Sequence, residues 1–180
     1  MKLYGPTLIP FSDYTQVARV MSEERLAQQS NAAVSILTAL VGPESFWREE
    51  RVAQMWYGYE WSLMQYGLAL NNRRYELTKD EVVLDERKDF ISLIRFGRRD
   101  SGLFIENISP PWLGNIRFHY SHQCSLWNSS KKNWRTGNDP DNYLLLKEAG
   151  WPSLPEIPLV LPRIDEKMLA KRKEAKQYGD

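Results

Sequence analysis

Apolar residues recur at helical spacing from Leu26 through Ala33, Ile36, Leu37 and Leu40, with polar side chains between them. That period predicts an amphipathic helix beginning after Ser22 and ending at Gly42-Pro43. Glu23 and Glu24 would occupy its first turn, where the helix dipole favours negative charge. A longer stripe joins Val52, Met55, Trp56, Tyr59, Leu63, Tyr66 and Leu70 at i, i+3, i+4 spacing. It predicts a helix from Glu49 to Arg73, apolar enough to form the centre of the domain. Glu60 lies among its aromatics. A short helix over Asp13–Met21 fits a cap at Ser12 or Asp13.

Thr78 to Arg99 is mixed. Phe90, Ile91, Leu93 and Ile94 fit a helix, and Thr78 with Glu81 has capping-box spacing, while Val82-Val83-Leu84 would also suit a strand. Gly97 to Gly102 reads as an exposed loop. Asn115 is placed to cap a helix starting at Ile116. Ser129 to Asn138 reads as a polar segment after it, and Asp139-Pro140 as the cap and first residue of a helix ending at Gly150. Met1 to Phe11 reads as an extended opening segment, and Trp151 to Pro162, with four prolines, as an extended strap. Asp165 to Tyr178 reads as a charged helix or tail. The expected fold is all-α: one compact multi-helix domain over 1–162 with an extended N-terminal segment and a proline-rich strap, then a charged tail over 163–180.

Composition narrows the function classes. At 180 residues the chain can bury a substantial core. With 24 Lys+Arg against 23 Asp+Glu, a broadly basic nucleic-acid coat is excluded, though a local patch is not. A single cysteine, Cys124, cannot form an internal disulfide. No apolar run approaches the length of a membrane span, and Met1 to Phe11 lacks the apolar core of a leader. A cytoplasmic protein without membrane contact is the expectation, and no cofactor is implied. Aromatic residues make up 12% of the chain; beside basic side chains they can stack on bases as well as fill a core.

Candidate chemistry gathers in Asn107 to Trp127, which holds both histidines, His119 and His122, and Cys124. On a helix His119 and His122 lie one turn apart on a shared face, suited to general acid/base or phosphate-binding use. Either ring would serve equally as a hydrogen-bonded group inside the fold. His122 and Cys124 would diverge, so a zinc site lacks its ligand set and no metal is expected. Elbow, phosphate-loop, dinucleotide and H-E-x-x-H motifs are missing. Glu23, Glu24 and Arg25 read as dipole complementarity plus an ion pair unless that turn faces the histidine helix. Lys131, Lys132, Trp134 and Arg135 cluster as cations beside an aromatic ring.

Several segments together carry a resemblance. These are Tyr14-x-x-x-Ala18-Arg19-Val20-Met21 before Arg25-Leu26 and Gln29; Met55-Trp56-x-Gly58-Tyr59-Glu60 before Tyr66-Gly67-Leu68; Pro110-Pro111-Trp112-Leu113-Gly114; and His119-x-Ser121-His122-Gln123. The strap from Leu154 to Pro162 closes the series. In this order they resemble bacterial and phage proteins grouped with pyrimidine dimer DNA glycosylase/endonuclease V. The resemblance implies DNA as partner and a two-step repair reaction. An amine attacks C1′ of the damaged nucleotide to form a Schiff base, and β-elimination then cuts the strand. It implies Glu23 as the assisting carboxylate, Arg19 and Arg25 as phosphate contacts, and the Met1 α-amine as nucleophile.

Three readings follow. The first is a DNA glycosylase/AP lyase that flips a base toward the aromatic and histidine cluster. The second is a non-catalytic nucleic-acid or protein-binding module using Lys131, Lys132, Trp134, Arg135 and the basic tail. The third is a nucleotide or small-molecule enzyme using His119 and His122 as acid and base.

Overall fold

The structure is a computed structural model that describes residues 7–41, 51–101, 108–151, 157–162 and 166–167. Its helices are α1 (Tyr14–Arg19), α2 (Glu23–Val41), α3 (Arg51–Gln54), α4 (Glu60–Thr78), α5 (Glu81–Ser101), α6 (Ile116–Thr136) and α7 (Pro140–Glu148). No strand occurs among the described residues, so the fold is all-α. Met1, the helix ends expected at Gly42-Pro43 and Glu49, and most of the charged C-terminal segment lie outside the described residues. Only Glu166 and Lys167 of that segment are described, and both are helical and exposed.

Asp13 caps α1, its Oδ1 accepting from the N–H groups of Thr15 at 2.7 Å and Gln16 at 3.3 Å. Ser22 precedes α2, and its Oγ accepts the Arg25 N–H at 3.4 Å. α2 packs most extensively on α4, α4 also meets α1 and α5, and α6 pairs with α7. Leu26, Ile36, Leu37, Leu40, Trp56, Leu63, Tyr66, Leu70 and Phe90 are fully buried where these helices meet. Gly67 lets α4 and α5 approach: a Cβ there would lie 2.4 Å from the Phe90 ring.

The continuous helix expected from Glu49 to Arg73 is instead broken between Gln54 and Glu60. Gly58 takes φ +85, a conformation that side chains disfavour, and its N–H is held by Glu60 Oε1 at 3.2 Å. Tight turns from Ala53 O to Trp56 N and from Trp56 O to Tyr59 N flank the break. Met55, Trp56 and Tyr59 remain buried around it. The apolar period therefore runs through a place where the helix does not.

The mixed segment is settled as helix, and two further expectations are corrected. The Val82-Val83-Leu84 stretch is helical, and α5 continues through Gly97 to Ser101 where a loop was expected. Asp80 Oδ1 caps its start by accepting the Val82 N–H at 2.9 Å, and Val83 and Phe90 turn inward. Ser129 to Thr136 is not a segment after the histidine helix but its second half. Leu126, Trp127 and Ser130 bury one face there while the polar side chains point out, and Gly137 ends the helix. The start of α6 is as expected, with Asn115 Oδ1 accepting the Phe118 N–H at 3.1 Å. Among the described residues no helix is long and apolar enough to cross a membrane.

Candidate functional site

Both histidines grip one residue of the extended N-terminal segment. His119 Nδ1 lies 2.8 Å from the Ile9 carbonyl oxygen, and the Ile9 N–H donates to His122 Nδ1 at 3.1 Å. The remaining ring nitrogens are also engaged. The Gly114 N–H donates to His119 Nε2 at 2.8 Å, and His122 Nε2 lies 3.2 Å from the Val160 carbonyl oxygen. These partners fix the tautomers: His119 carries its proton on Nδ1 and His122 on Nε2. Burial holds His122 well below the ordinary imidazole range, at about 4, with the Val160 carbonyl opposing that shift and His119 adding to it. His122 is fully buried and His119 nearly so.

The neighbouring motif residues serve the same junction. Ser121 Oγ donates to Phe118 O at 2.7 Å and accepts the Val160 N–H at 3.1 Å, while Gln123 Nε2 donates to Pro10 O at 2.9 Å. Trp112 Nε1 donates to Met55 O at 3.3 Å, and its ring meets Trp56 at 4.9 Å and Phe118 at 4.8 Å. Gly114, at φ +95, turns its N–H onto His119. Further along the segment, Gln29 Oε1 accepts the Leu8 N–H at 2.7 Å. The Tyr66 hydroxyl shares its proton between Gln29 Oε1 at 2.7 Å and Leu8 O at 3.2 Å. Thr7 through Pro10 are buried, and an extended segment inside a helical bundle has no ladder to satisfy its peptides. Side chains from α2, α4 and α6 take that role.

Glu23 lies elsewhere, exposed at the start of α2. It lines a depression of about 310 Å³ with Arg19, Arg73, Asp141 and Glu148 and the apolar side chains of Met21, Leu77, Leu144 and Leu145. Arg19, also exposed, lines the same recess as Glu23, and neither histidine does. Arg73 was not singled out in the sequence; it sits near the end of α4, a helix read only for its apolar stripe. Its guanidinium pairs with Glu76 at 2.9 Å.

Lys131, Lys132 and Arg135 lie on the outer face of α6. With Ser125, Asn128, Ser129, Asn133 and Thr136 they line a depression of about 800 Å³. No carboxylate is among these described lining residues. Trp134 is not among these lining residues; it lies on the adjoining strip of the helix, stacked on Tyr143 of α7 at 4.9 Å.

Arg25 joins the two depressions from within. It is buried, and its Nη2 lies 2.7 Å from Asp139 Oδ2 and 3.4 Å from Ser129 Oγ. Asp139 Oδ1 accepts from Ser22 Oγ at 3.0 Å, so this carboxylate does not cap α7. Ser22 lines the Glu23 recess and Ser129 lines the basic depression. The first turn of α2 thus does face the histidine helix. It meets that helix at Ser129, seven residues and about 10 Å beyond His122. Arg25 is committed to a buried ion pair with Asp139. The Met1 amine lies outside the described residues. Comparison with protein-family models, with curated proteins and with solved structures returned no match.

Proposed function

We propose that this protein binds DNA across the outer face of α6 and the adjoining mouth at the start of α2. One observation carries the reading: Lys131, Lys132 and Arg135 share a depression with neutral hydroxyl and amide side chains and no carboxylate among its described residues. Cations gain from releasing the counterions of phosphates, and Ser, Thr and Asn side chains bond phosphate oxygens without reading sequence. The net charge of +1 makes that attraction local. The test is anisotropy of a labelled oligonucleotide with the wild type and with the triple variant Lys131→Gln, Lys132→Gln, Arg135→Gln. Binding is expected at low salt and largely lost in the triple variant; equal binding by both would remove the proposal.

A narrower reading, base excision followed by strand cleavage, is favoured by the meeting of Glu23 with Arg19 at a recess partly lined by apolar side chains. Such a recess would admit an extruded base, with Glu23 beside the reacting sugar and Arg19 on its phosphate. The Met1 amine would supply the nucleophile. His119 and His122 receive no proton-transfer step, because all four ring nitrogens are held by backbone groups. Borohydride treatment of the protein with abasic or dimer-containing DNA tests this reading. A covalent adduct lost in Glu23→Gln supports it, and DNA binding without adduct or cleavage leaves a non-catalytic binding module.

A further inference from the structure

We infer that Trp134 is a stacking platform for an unpaired base, so that the strand held along α6 is single-stranded where it passes this residue. The inference rests on the DNA-binding reading and specifies its ligand.

Trp134 is 45% exposed, so close to half of its surface is open to solvent. One face stacks on Tyr143 with centroids 4.9 Å apart and planes inclined by 29°. Tyr143 in turn rests against Trp127, which is 5% exposed, at 5.4 Å and 34°. The three rings form a ladder anchored in the core with its last rung facing solvent. An indole held this way has little rotamer freedom left to lose when a ligand covers it. Few large apolar side chains are exposed among the described residues, and this one is backed by two further aromatic rings.

Its surroundings select the occupant. At about 100° per residue, Lys131 lies one turn before Trp134 on the adjoining strip of α6, Arg135 follows it, and Lys132 lies beyond both. The order around the helix is therefore aromatic ring, two cations, third cation. Cations that track a backbone beside an aromatic ring that receives bases are the elements of single-strand recognition. A base within a duplex has both faces covered by its neighbours and cannot stack on an indole. An unpaired base can, and the cations beside it suit its phosphates. A protein partner would need a broader apolar surface than this single ring.

Two measurements test the inference, the first without any mutation. Wild-type protein is titrated with single-stranded oligothymidine and with a strand of equal length built of base-free tetrahydrofuran residues, which lack the reactive aldehyde. The two carry the same charge and differ only in stackable bases. Tighter binding of oligothymidine, on the order of tenfold, is expected. Equal binding of the two strands would overturn the inference while leaving the electrostatic reading intact. The second compares Trp134→Ala and Trp134→Phe on oligothymidine and on a duplex closed at both ends by base-free linkers. The alanine variant should lose about tenfold on the single strand and little on the duplex, and the phenylalanine variant should retain most of the single-strand affinity. Equal losses on both ligands, or none on the single strand, would contradict it. A wild type that binds no DNA at low salt would instead defeat the underlying DNA-binding reading.

Discussion

His119 and His122 hold opposite sides of the same residue: one ring receives the Ile9 N–H and the other binds the Ile9 carbonyl. A peptide unit buried without partners costs several kcal/mol, and here each polar group of Ile9 is met by an imidazole. His122 extends the junction to Val160, so one ring touches both the opening segment and the closing strap. The histidine motif is a clasp for chain segments far apart in sequence.

Stability should fall with acid through His122. An unfolded imidazole takes its proton near pH ~6.5, whereas folded His122 does so only at about 4. Between these values the unfolded chain binds more protons, so stability declines as pH drops from ~6.5 to 4 and levels off below. The shift corresponds to about 3 kcal/mol. Chemical denaturation across this window should show His122→Asn less stable at neutral pH but less acid-sensitive than the wild type. Parallel stability curves would speak against the assignment.

Removing Asp139 should be costly. Asp139→Ala leaves the buried Arg25 guanidinium without its carboxylate, a loss of about 3–5 kcal/mol. The double variant Arg25→Met, Asp139→Leu should recover much of that loss, because two apolar groups can replace a buried pair at little cost. Urea unfolding of the single and double variants measures both effects.

Gly67→Ala should destabilise, although alanine is the better helix former. On an open helix surface the change would gain about 1 kcal/mol. Here the new methyl meets the Phe90 ring, and a loss of about 1–3 kcal/mol is expected. Thermal unfolding reads the sign, and Phe90→Leu in the Gly67→Ala background should relieve part of the loss.

DNA affinity should be steeply salt-dependent. Each cation removed from Lys131, Lys132 and Arg135 should flatten the log affinity against log salt slope by about 0.7–0.9. Anisotropy at several salt concentrations gives the slopes. A triple variant with the wild-type slope would place the interface elsewhere.

The starts of α1, α2, α6 and α7 were legible because short polar residues and a proline mark them locally: Asp13, Ser22, Asn115 and Pro140. The break before α4 was not, because Met55, Trp56 and Tyr59 stay apolar and buried across it and only Gly58 marks the turn. The second half of α6 was hidden by its polar outer face. In the site, the meeting of Arg19 with Glu23 followed from residues close in sequence. The roles of His119, His122 and Arg25 did not. Each is tied to Ile9 or Asp139, more than 100 residues away, and periodicity carries no trace of such contacts.

The most direct test of the clasp is the ¹⁵N spectrum of the two imidazoles in the folded protein, followed through an acid titration. His119 should carry its proton on Nδ1 and His122 on Nε2 at neutral pH, with His122 staying neutral until about pH 4. A His122 ring that titrates near ~6.5 while the protein stays folded, with its proton exchanging between both nitrogens, would contradict the account.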